Sequence, residues 1–227
     1  MSEGNAREQM IDAAERIAAE QGLGAMSLRS VQAASGQRNK SAAQYHFGSR
    51  DGLIEAVVAS RMGPVNERRL ELLATLDARP TEPTLRDLAT ALVVPLAEHT
   101  VATPGSRWAR FLAQGLADPA LSAVVRRNLE GRSYRAVRTR AVAALDHLPT
   151  PQRERRLDHA VALLVTSLAS TEAQLATTGS APLPLAELVA EMVEICTAVL
   201  AAPVAAPVAA PLAAPVAAHR PAPVPPA

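Results

Sequence analysis

The chain has very few aromatic residues. Its 227 residues include one tryptophan, two tyrosines and two phenylalanines, yet 48% of the residues are hydrophobic. A core must therefore be built from Ala, Leu and Val, and alanine is the strongest helix former. The alternating runs of β-branched and aromatic residues that indicate strands are also missing. These absences predict an all-α protein with enough apolar residues for a substantial core.

Cysteine and long apolar runs are equally scarce. Cys196 is the only cysteine, so one chain cannot form an internal disulfide, which fits a reducing cytoplasm. We interpret Cys196 as a small core residue, with a redox sensor as the alternative. The N-terminus is charged and has no apolar stretch, so we expect no signal peptide. The apolar runs are short or interrupted by proline, so we expect a cytoplasmic protein without a membrane partner.

Arrangements typical of catalysis are missing too. The five histidines are scattered at positions 46, 99, 147, 159 and 219. No Ser/His/Asp or Cys/His set occurs at a recognisable spacing, and there is no Gly-rich phosphate loop. His46 has no second histidine or cysteine near it, which argues against a metal site. We therefore expect a protein that is not an enzyme and that needs no cofactor.

Residues 27–50 contain the pattern of two short helices joined by a tight turn. Ser27 is a good N-cap, and Gly36 can adopt the left-handed backbone that ends a helix. A second short helical run ends at Phe47, and Ser49 can cap the helix that follows. Two helices and a glycine turn within about 20 residues have the spacing of a helix-turn-helix motif.

The charge of this stretch favours a nucleic-acid partner. It holds four basic residues and no acidic residue, and it includes the only lysine of the chain. Cations bind DNA phosphates, whereas amide and hydroxyl groups contact base edges. The side chains that supply both kinds of group are Arg38, Asn39, Lys40, Ser41 and Gln44. A solvated basic surface of a helical protein would show the same composition, so both interpretations stand.

The same residues resemble the N-terminal domain of the TetR family of bacterial transcriptional regulators. The resemblance covers about residues 6–60. It rests on Ile11-Asp12-Ala13-Ala14-Glu15, Gln21-Gly22, Ser27-Leu28-Arg29, Ala33-Ala34-Ser35-Gly36, Tyr45-His46-Phe47 and Ser49-Arg50-Asp51-Gly52-Leu53. One departure is that Phe47 follows Gly36 by eleven residues, where the family has ten. The extra residue lies between Gln37 and Ala43, and Gln44 stands where the family often has tyrosine.

The resemblance implies a fold, a partner and a set of contacts. It implies an N-terminal three-helix helix-turn-helix domain over 1–50 and a larger helical ligand-binding and dimerisation domain over 51–201. The composition of the remaining residues, 202–227, predicts a disordered Ala/Pro-rich tail. The third helix would enter the major groove of double-stranded operator DNA. Phosphates would be held by Arg29, Lys40, Tyr45 and Arg50, and base edges contacted by Arg38, Asn39, Ser41 and Gln44, with Ser27 and His46 also at the interface.

The function implied is a ligand-responsive transcriptional regulator, most simply a repressor that a small-molecule effector releases from its operator. The alternative from another class is a helical interaction protein without specific DNA binding. An enzyme has no support in the residues.

The rest of the chain alternates between helical patterns and breaks. A long helix is predicted after Ser49, with a kink or break at Gly63-Pro64 and a resumption over 68–76. Further helices are predicted over 84–99 with a kink at Pro95, from Thr103-Pro104 onwards, over one segment 119–147, and over 151–177 and 183–201. The proline repeats of 203–227 predict a disordered tail of polyproline-II character.

A ligand pocket is predicted around the pair Trp108 and Phe111. A mostly apolar cavity with a few polar groups is the usual small-molecule site. The candidate ligand-binding residues are Arg107, Trp108, Phe111, Gln114, Asn128, Tyr134 and Gln174. The alternative is that the two aromatic side chains are simply core.

Two more features have competing interpretations. Six arginines at 126, 127, 132, 135, 138 and 140 favour a solvated helix face, with an acidic ligand or a second DNA contact as alternatives. The helices over 151–177 and 183–201 have near-heptad apolar stripes, which favour a partner surface. The family resemblance implies a homodimer through about 151–201, and the alternative is that both helices are internal.

Overall fold

The computed structural model describes residues 3–37, 39, 41–118, 122–129 and 131–204. These residues form ten α-helices and a short 3₁₀ helix, Leu23–Ala25, with no strand among them. The helices are α1 Glu3–Gln21, α2 Leu28–Ala34, α3 Ala42–Phe47, α4 Arg50–Asp77, α5 Leu85–Glu98, α6 Trp108–Ala117, α7 Ser122–Leu129, α8 Arg132–Ala144, α9 Thr150–Thr178 and α10 Leu185–Ala201. The predicted all-α fold class is therefore confirmed.

Helix starts lie where local chemistry predicted them. The Ser27 hydroxyl accepts a hydrogen bond from the Ser30 N–H at 3.0 Å at the start of α2. The Ser49 hydroxyl likewise accepts from the Gly52 N–H at 3.0 Å at the start of α4. Gly36 follows α2 with φ +69°, the left-handed conformation expected of a residue that ends a helix. Each cap satisfies an N–H that the helix itself leaves unpaired.

Of the kink or break predicted at Gly63-Pro64, the break does not occur, because α4 continues through both residues. A proline inside a helix removes one backbone hydrogen bond and costs about 3 kcal/mol. Burial on both sides offsets that cost, since Met62 and Val65 are both in the core. Pro64 itself is exposed, so the carbonyl that loses its partner is on the side of the helix that solvent can reach.

Two other boundaries also differ from the predictions. The helix expected from Thr103-Pro104 begins at Trp108 instead, after a loop. The segment 119–147 forms two helices rather than one, because Gly131 interrupts it and precedes α8 as an N-cap. A Cβ at Gly131 would lie 3.1 Å from the Asn66 side chain on α4, so the break lets the chain pass close to α4.

Helix α5 contains Pro95, which is buried and leaves the Ala91 carbonyl without its usual N–H partner. That carbonyl accepts a hydrogen bond from Nε of Arg69 at 3.0 Å. An arginine on α4 therefore supplies the donor that the proline on α5 removes, and α5 stays helical to Glu98.

The four N–H groups at the start of α6 are satisfied by side chains from other elements. The Arg107 N–H donates to Glu15 on α1 at 3.1 Å, and the Trp108 N–H donates to the Ser106 hydroxyl at 3.2 Å. The N–H groups of Ala109 and Arg110 donate to Glu172 on α9, at 3.3 and 3.0 Å. Negative charge is favourable at a helix N-terminus, so α1 and α9 both stabilise this end.

Helices α1 and α4 are joined through Arg61. Its guanidinium donates to Glu15 at 2.7 Å, to Glu8 at 2.8 Å and also to Asp12. Burial alone would lower the pKa of Arg61, but the carboxylates of Glu15 and Asp12 outweigh burial and raise that pKa above its ordinary value. One cation on α4 thus forms ion pairs with three acids on a single face of α1.

The helical body of the protein consists of α4 to α10. Helices α9 and α10 complete it by packing on α6 and α5, respectively, and on each other. Cys196 on α10 is buried, and burial raises the pKa of its thiol to about 11. A thiol that stays protonated is a poor nucleophile, which supports the interpretation of Cys196 as a core residue.

In the described part of the chain, α9 alone is long and apolar enough to cross a membrane, although the sequence predicted no apolar run of that length. It buries Leu157, Leu164 and Leu168, and the core helices of soluble proteins commonly have this length and composition. The predicted tail over 203–227 lies almost entirely outside the described residues.

Candidate nucleic-acid interface

Helix α3 has one buried face and one exposed face. Ala42, Ala43 and Phe47 are buried against the rest of the N-terminal bundle, which consists of α1, α2, α3 and the start of α4. The opposite face presents Gln44 and Tyr45 to solvent. Small residues on the buried face let α3 lie close to its neighbours, so its polar face projects outward.

The position of α3 against α4 depends on Gly52. A Cβ at this position would lie 2.1 Å from the Phe47 carbonyl oxygen, a distance that no side chain could occupy. The glycine in the Ser49-Arg50-Asp51-Gly52-Leu53 segment is thus required by a backbone contact between the end of α3 and the first turn of α4.

Tyr45 is the most exposed of the large hydrophobic side chains described, at 76%. Its ring stands edge-on to His46, with 5.2 Å between the ring centroids, and His46 in turn lies 6.1 Å from Phe47. This row of rings connects the core of the N-terminal bundle to its surface. A tyrosine held in this way can present its hydroxyl to a partner at little entropic cost.

The polar residues before and on α3 are exposed but already hydrogen-bonded. Oδ1 of Asn39 accepts from the N–H and the hydroxyl of Ser41 at 3.1 and 2.9 Å. Nε2 of Gln44 donates to the Gly48 carbonyl at 2.6 Å. These bonds hold the side chains in fixed positions, and they leave the Nδ2 group of Asn39 and the Oε1 atom of Gln44 for a ligand.

Arg50 lies inward from its predicted place at a phosphate. Its Nη2 donates to the Leu23 carbonyl at 2.7 Å and its Nε donates to the Met26 carbonyl at 3.0 Å. The side chain therefore braces the loop before α2 against α4. Arg29 and Ser27 lie on the exposed surface of α2, whereas Arg38 and Lys40 are outside the described residues.

The predicted ligand-binding residues do not converge on one site. Trp108 and Phe111 are fully buried, with their rings stacked at 5.5 Å. Arg107 pairs with Glu20 at 3.1 Å, and Gln174 is exposed on α9. The side chain of Asn128 is not among those that the structure describes.

Tyr134 is the member of that set that lines the apolar cavity of the body. The cavity lies between helices α4 to α9 and has a volume of about 240 Å³. Its walls include Leu92, Leu96, Leu112, Leu116, Val161 and Leu164. Arg69 also lines the cavity, although it is not one of the predicted ligand-binding residues. A signal was present, because Arg69 continues the apolar stripe of α4 formed by Met62, Val65, Leu73 and Leu76.

Gln114 joins the cavity helix α6 to the N-terminal bundle. Its Nε2 donates to the Ala18 carbonyl at 2.8 Å, and its Oε1 accepts from the Leu23 N–H at 3.0 Å. Both partners are at the junction between α1 and the 3₁₀ helix. The same helix that forms a wall of the cavity is therefore hydrogen-bonded to the bundle that carries α2 and α3.

Three of the six arginines of 126–140 lie in surface ion pairs. Arg127 pairs with Glu55 at 3.5 Å, Arg138 pairs with Glu154 at 3.2 Å, and Arg140 pairs with Asp77 at 2.8 Å. These pairs support the interpretation of a solvated face. Arg126 is exposed and lies on the cavity lining.

Comparison with solved structures gives the class of this architecture. A transcriptional regulator from Rhodococcus sp. Rha1 is 22% identical, with 86% of this chain and 95% of that chain covered and a TM-score of 0.52. The chain therefore shares the all-helical fold of that structure, with a helix-turn-helix arrangement near the N-terminus and a larger C-terminal helical body, as the resemblance implied.

Two other structures are similar at lower scores. The multidrug binding protein EbrR, complexed with imidazole, is 21% identical with a TM-score of 0.41, over 88% of this chain and 97% of that chain. A protein from Rhodococcus sp. that is provisionally assigned to the TetR family is 15% identical with a TM-score of 0.47, over 87% and 99%. No protein-family model and no curated protein sequence matches the chain.

Proposed function

We propose that the chain is a cytoplasmic, DNA-binding transcriptional regulator of the TetR family. The observation that carries the proposal is the exposed face of α2 and α3, which presents Arg29, Gln44 and Tyr45 in a stretch with no acidic residue. DNA recognition needs cations for phosphates and amide or hydroxyl groups for base edges, and this face offers both.

The proposed contacts are those that the family resemblance implies, and the exposure of Arg29, Gln44 and Tyr45 supports them. Arg29, Lys40 and Tyr45 hold phosphates, whereas Asn39, Ser41 and Gln44 contact base edges, with Arg38, Ser27 and His46 beside them. Arg50 acts chiefly by positioning, because two of its N–H groups are already used by the carbonyls of Leu23 and Met26. The alternative is an interaction protein without specific DNA binding, and it predicts no sequence preference.

DNA binding is tested by titrating the purified protein with the DNA upstream of its own gene across a salt series. Phosphate contacts release counterions, so Arg29→Ala and Lys40→Ala should each reduce the slope of log K against log salt by about one unit. Gln44→Ala should instead reduce discrimination between sites by about 1–3 kcal/mol. Arg68→Ala, an exposed arginine of the body, is the matched control and should leave both quantities unchanged.

If the wild-type protein binds upstream DNA and unrelated DNA with equal affinity, the proposal is contradicted and the alternative is supported. Equal losses on all sequences for Gln44→Ala would mean that this residue contacts the backbone rather than bases.

We further propose that the protein is a homodimer through α9 and α10. Two-fold related N-terminal bundles would place their third helices in major grooves about 34–36 Å apart or a multiple of that distance. On α10, Leu185 and Ile195 are exposed at 41% and 37%. Exposed large apolar side chains on a helix pair that already packs on the body support a partner surface there.

The dimer is tested by light scattering after gel filtration. Leu185→Glu combined with Ile195→Glu should weaken association at least about tenfold, because each charge would be buried without a partner. Leu70→Glu on α4 is the matched control, since Leu70 is equally exposed at 39% but lies outside α9 and α10. A wild-type protein that stays monomeric at micromolar concentration would contradict this proposal.

In the proposed mechanism, a small-molecule effector in the body cavity favours a conformation with the wrong separation between the two bundles. Helix α6 is suited to this role because it forms a wall of the cavity and bonds to α1 through Gln114. A change from mostly bound to mostly free DNA requires a differential affinity of about 5 kcal/mol for the two conformations.

A further inference from the structure

The body cavity contains a buried positive charge that no described side chain neutralises. Arg69 is 3% exposed and lines the cavity. Its hydrogen-bond partners are the Ala91 carbonyl at 3.0 Å, Oδ1 of Asn66 at 3.2 Å and the Ser133 hydroxyl at 3.2 Å. All three acceptors are neutral. Among the described residues, nine other arginines form ion pairs with Asp or Glu, and Arg69 does not.

The structural role of Arg69 does not require its charge. The bond to the Ala91 carbonyl replaces the N–H that Pro95 removes, and any neutral donor of suitable length could make it. The bonds to Asn66 and Ser133 are likewise made to groups that accept from neutral donors. Taking a full charge out of water without a counter-ion is costly, and buried charges in proteins are normally paired. The charge itself is therefore unexplained by the fold.

The surroundings of Arg69 fit an apolar molecule with one negative end. Beyond the guanidinium, the cavity wall consists mainly of leucine and valine side chains of α5, α6 and α9. Arg126 adds a second positive group on the lining. Among the lining residues that the structure describes, Asp158 is the one acid, and it is itself paired with Arg138 at 3.7 Å. Burial lowers the pKa of Arg69 to about 10, so the group remains charged at neutral pH.

We propose that this cavity binds a small organic carboxylate, with the carboxylate paired to Arg69 and the apolar body against α5, α6 and α9. This inference deepens the proposed function, since the carboxylate would be the effector. The bonds to Ala91, Asn66 and Ser133 use Nε and Nη1 of Arg69, which leaves Nη2 to donate to the carboxylate. A charged donor of this kind gives the site a strong preference for acids over neutral analogues. The volume of about 240 Å³ limits the ligand to a size below that of most drug-like molecules.

The test compares acids with their neutral amides by isothermal titration calorimetry of the full-length protein. Octanoate and benzoate are the acidic probes, and octanamide and benzamide are the matched neutral probes. At least one acid should bind at least about tenfold more tightly than its amide, and Arg69→Met should abolish that preference. Arg68→Met, a neighbour on α4 that pairs with Glu71 and Glu98, should keep the wild-type preference.

A second variant keeps the proposal testable if Arg69→Met does not fold. Ala113 lies on the cavity wall, so Ala113→Leu should fill part of the cavity and weaken binding of the acid while Arg69 is intact. Equal affinity of acid and amide for the wild type would overturn the proposal. So would a preference for acid that survives in Arg69→Met, or binding of octyl phosphate that is tighter than binding of octanoate.

A parallel DNA-binding assay separates this proposal from the proposed function. If the wild type binds its upstream DNA specifically but shows no acid preference, only the carboxylate proposal fails. If it shows the acid preference but no specific DNA binding, the cavity assignment stands and the regulator proposal fails. If both hold, the acid should reduce DNA affinity, and the reduction should be absent in Arg69→Met.

Discussion

Replacement of Glu172 by alanine is expected to lower the free energy of unfolding by about 3–4 kcal/mol. The carboxylate is only 3% exposed, and it accepts hydrogen bonds from the N–H groups of Ala109 and Arg110 and from the Ser106 hydroxyl at 2.7 Å. Its loss would leave buried donors at the start of α6 without acceptors, each at a cost of about 1–3 kcal/mol. Urea unfolding followed by circular dichroism, at a fixed protein concentration, measures the change.

Two further variants make this result specific to the carboxylate. Glu172→Gln keeps one acceptor oxygen but loses the negative charge at the helix N-terminus, so we expect an intermediate loss of about 1–2 kcal/mol. Gln174→Ala, on an exposed part of the same helix, should change stability by less than about 0.5 kcal/mol. If the free energy of unfolding of Glu172→Ala lies within about 1 kcal/mol of the wild-type value, the loss is no larger than that of an ordinary surface substitution. That result would show that water can satisfy the N–H groups at the start of α6.

Replacement of Arg61 by alanine should cost about 2–3 kcal/mol and should loosen the attachment of α1 to α4. Without the guanidinium, Glu8, Asp12 and Glu15 would repel one another on one face of α1, and Glu15 is 7% exposed. Removal of one partner from a mostly buried ion pair leaves the other charge without compensation. At about 2–4 °C per kcal/mol for a chain of this size, the melting temperature should fall by roughly 4–12 °C.

The salt dependence identifies the cause of that loss. Repulsion among the three acids is screened by added salt, so 1 M NaCl, with a Debye length of about 3 Å, should restore part of the stability of Arg61→Ala. Arg68→Ala is the control on the same helix, because its pairs with Glu71 and Glu98 are exposed and worth less than about 1 kcal/mol. A loss that is unaffected by salt would indicate a packing defect instead of charge repulsion.

Features set by neighbours in the sequence were predictable, and features set by contacts across the fold were not. The caps at Ser27 and Ser49 and the glycine at position 36 depend on residues within one turn, and all three were confirmed. Continuation of α4 through Pro64 depends on burial of Met62 and Val65 against other helices, so the local pattern alone could not exclude a break there. The division of 119–147 at Gly131 likewise depends on the approach of Asn66 from α4.

The same distinction applies to the candidate sites. The surface of α2 and α3 could be assigned from a contiguous stretch, because its charge and exposed polar residues are all local. The cavity could not be predicted in this way. Trp108 and Phe111 were chosen as ligand-binding candidates by residue type, and both are fully buried. Arg69 was marked only by its place in an apolar stripe, and its importance appears when α5 and α8 are brought to it.

The bond between Arg69 and the Ala91 carbonyl has an evolutionary consequence. Pro95 leaves the Ala91 carbonyl without its usual donor, and Arg69 supplies a donor that makes the proline tolerable. If position 95 carries a residue with a backbone N–H, that N–H can donate to the Ala91 carbonyl. Arg69 is then no longer needed for this hydrogen bond, and it can be replaced when the ligand changes. The two positions should therefore change together across descendants of this protein, and a lineage that replaces the proline first gains freedom to alter what its cavity accepts.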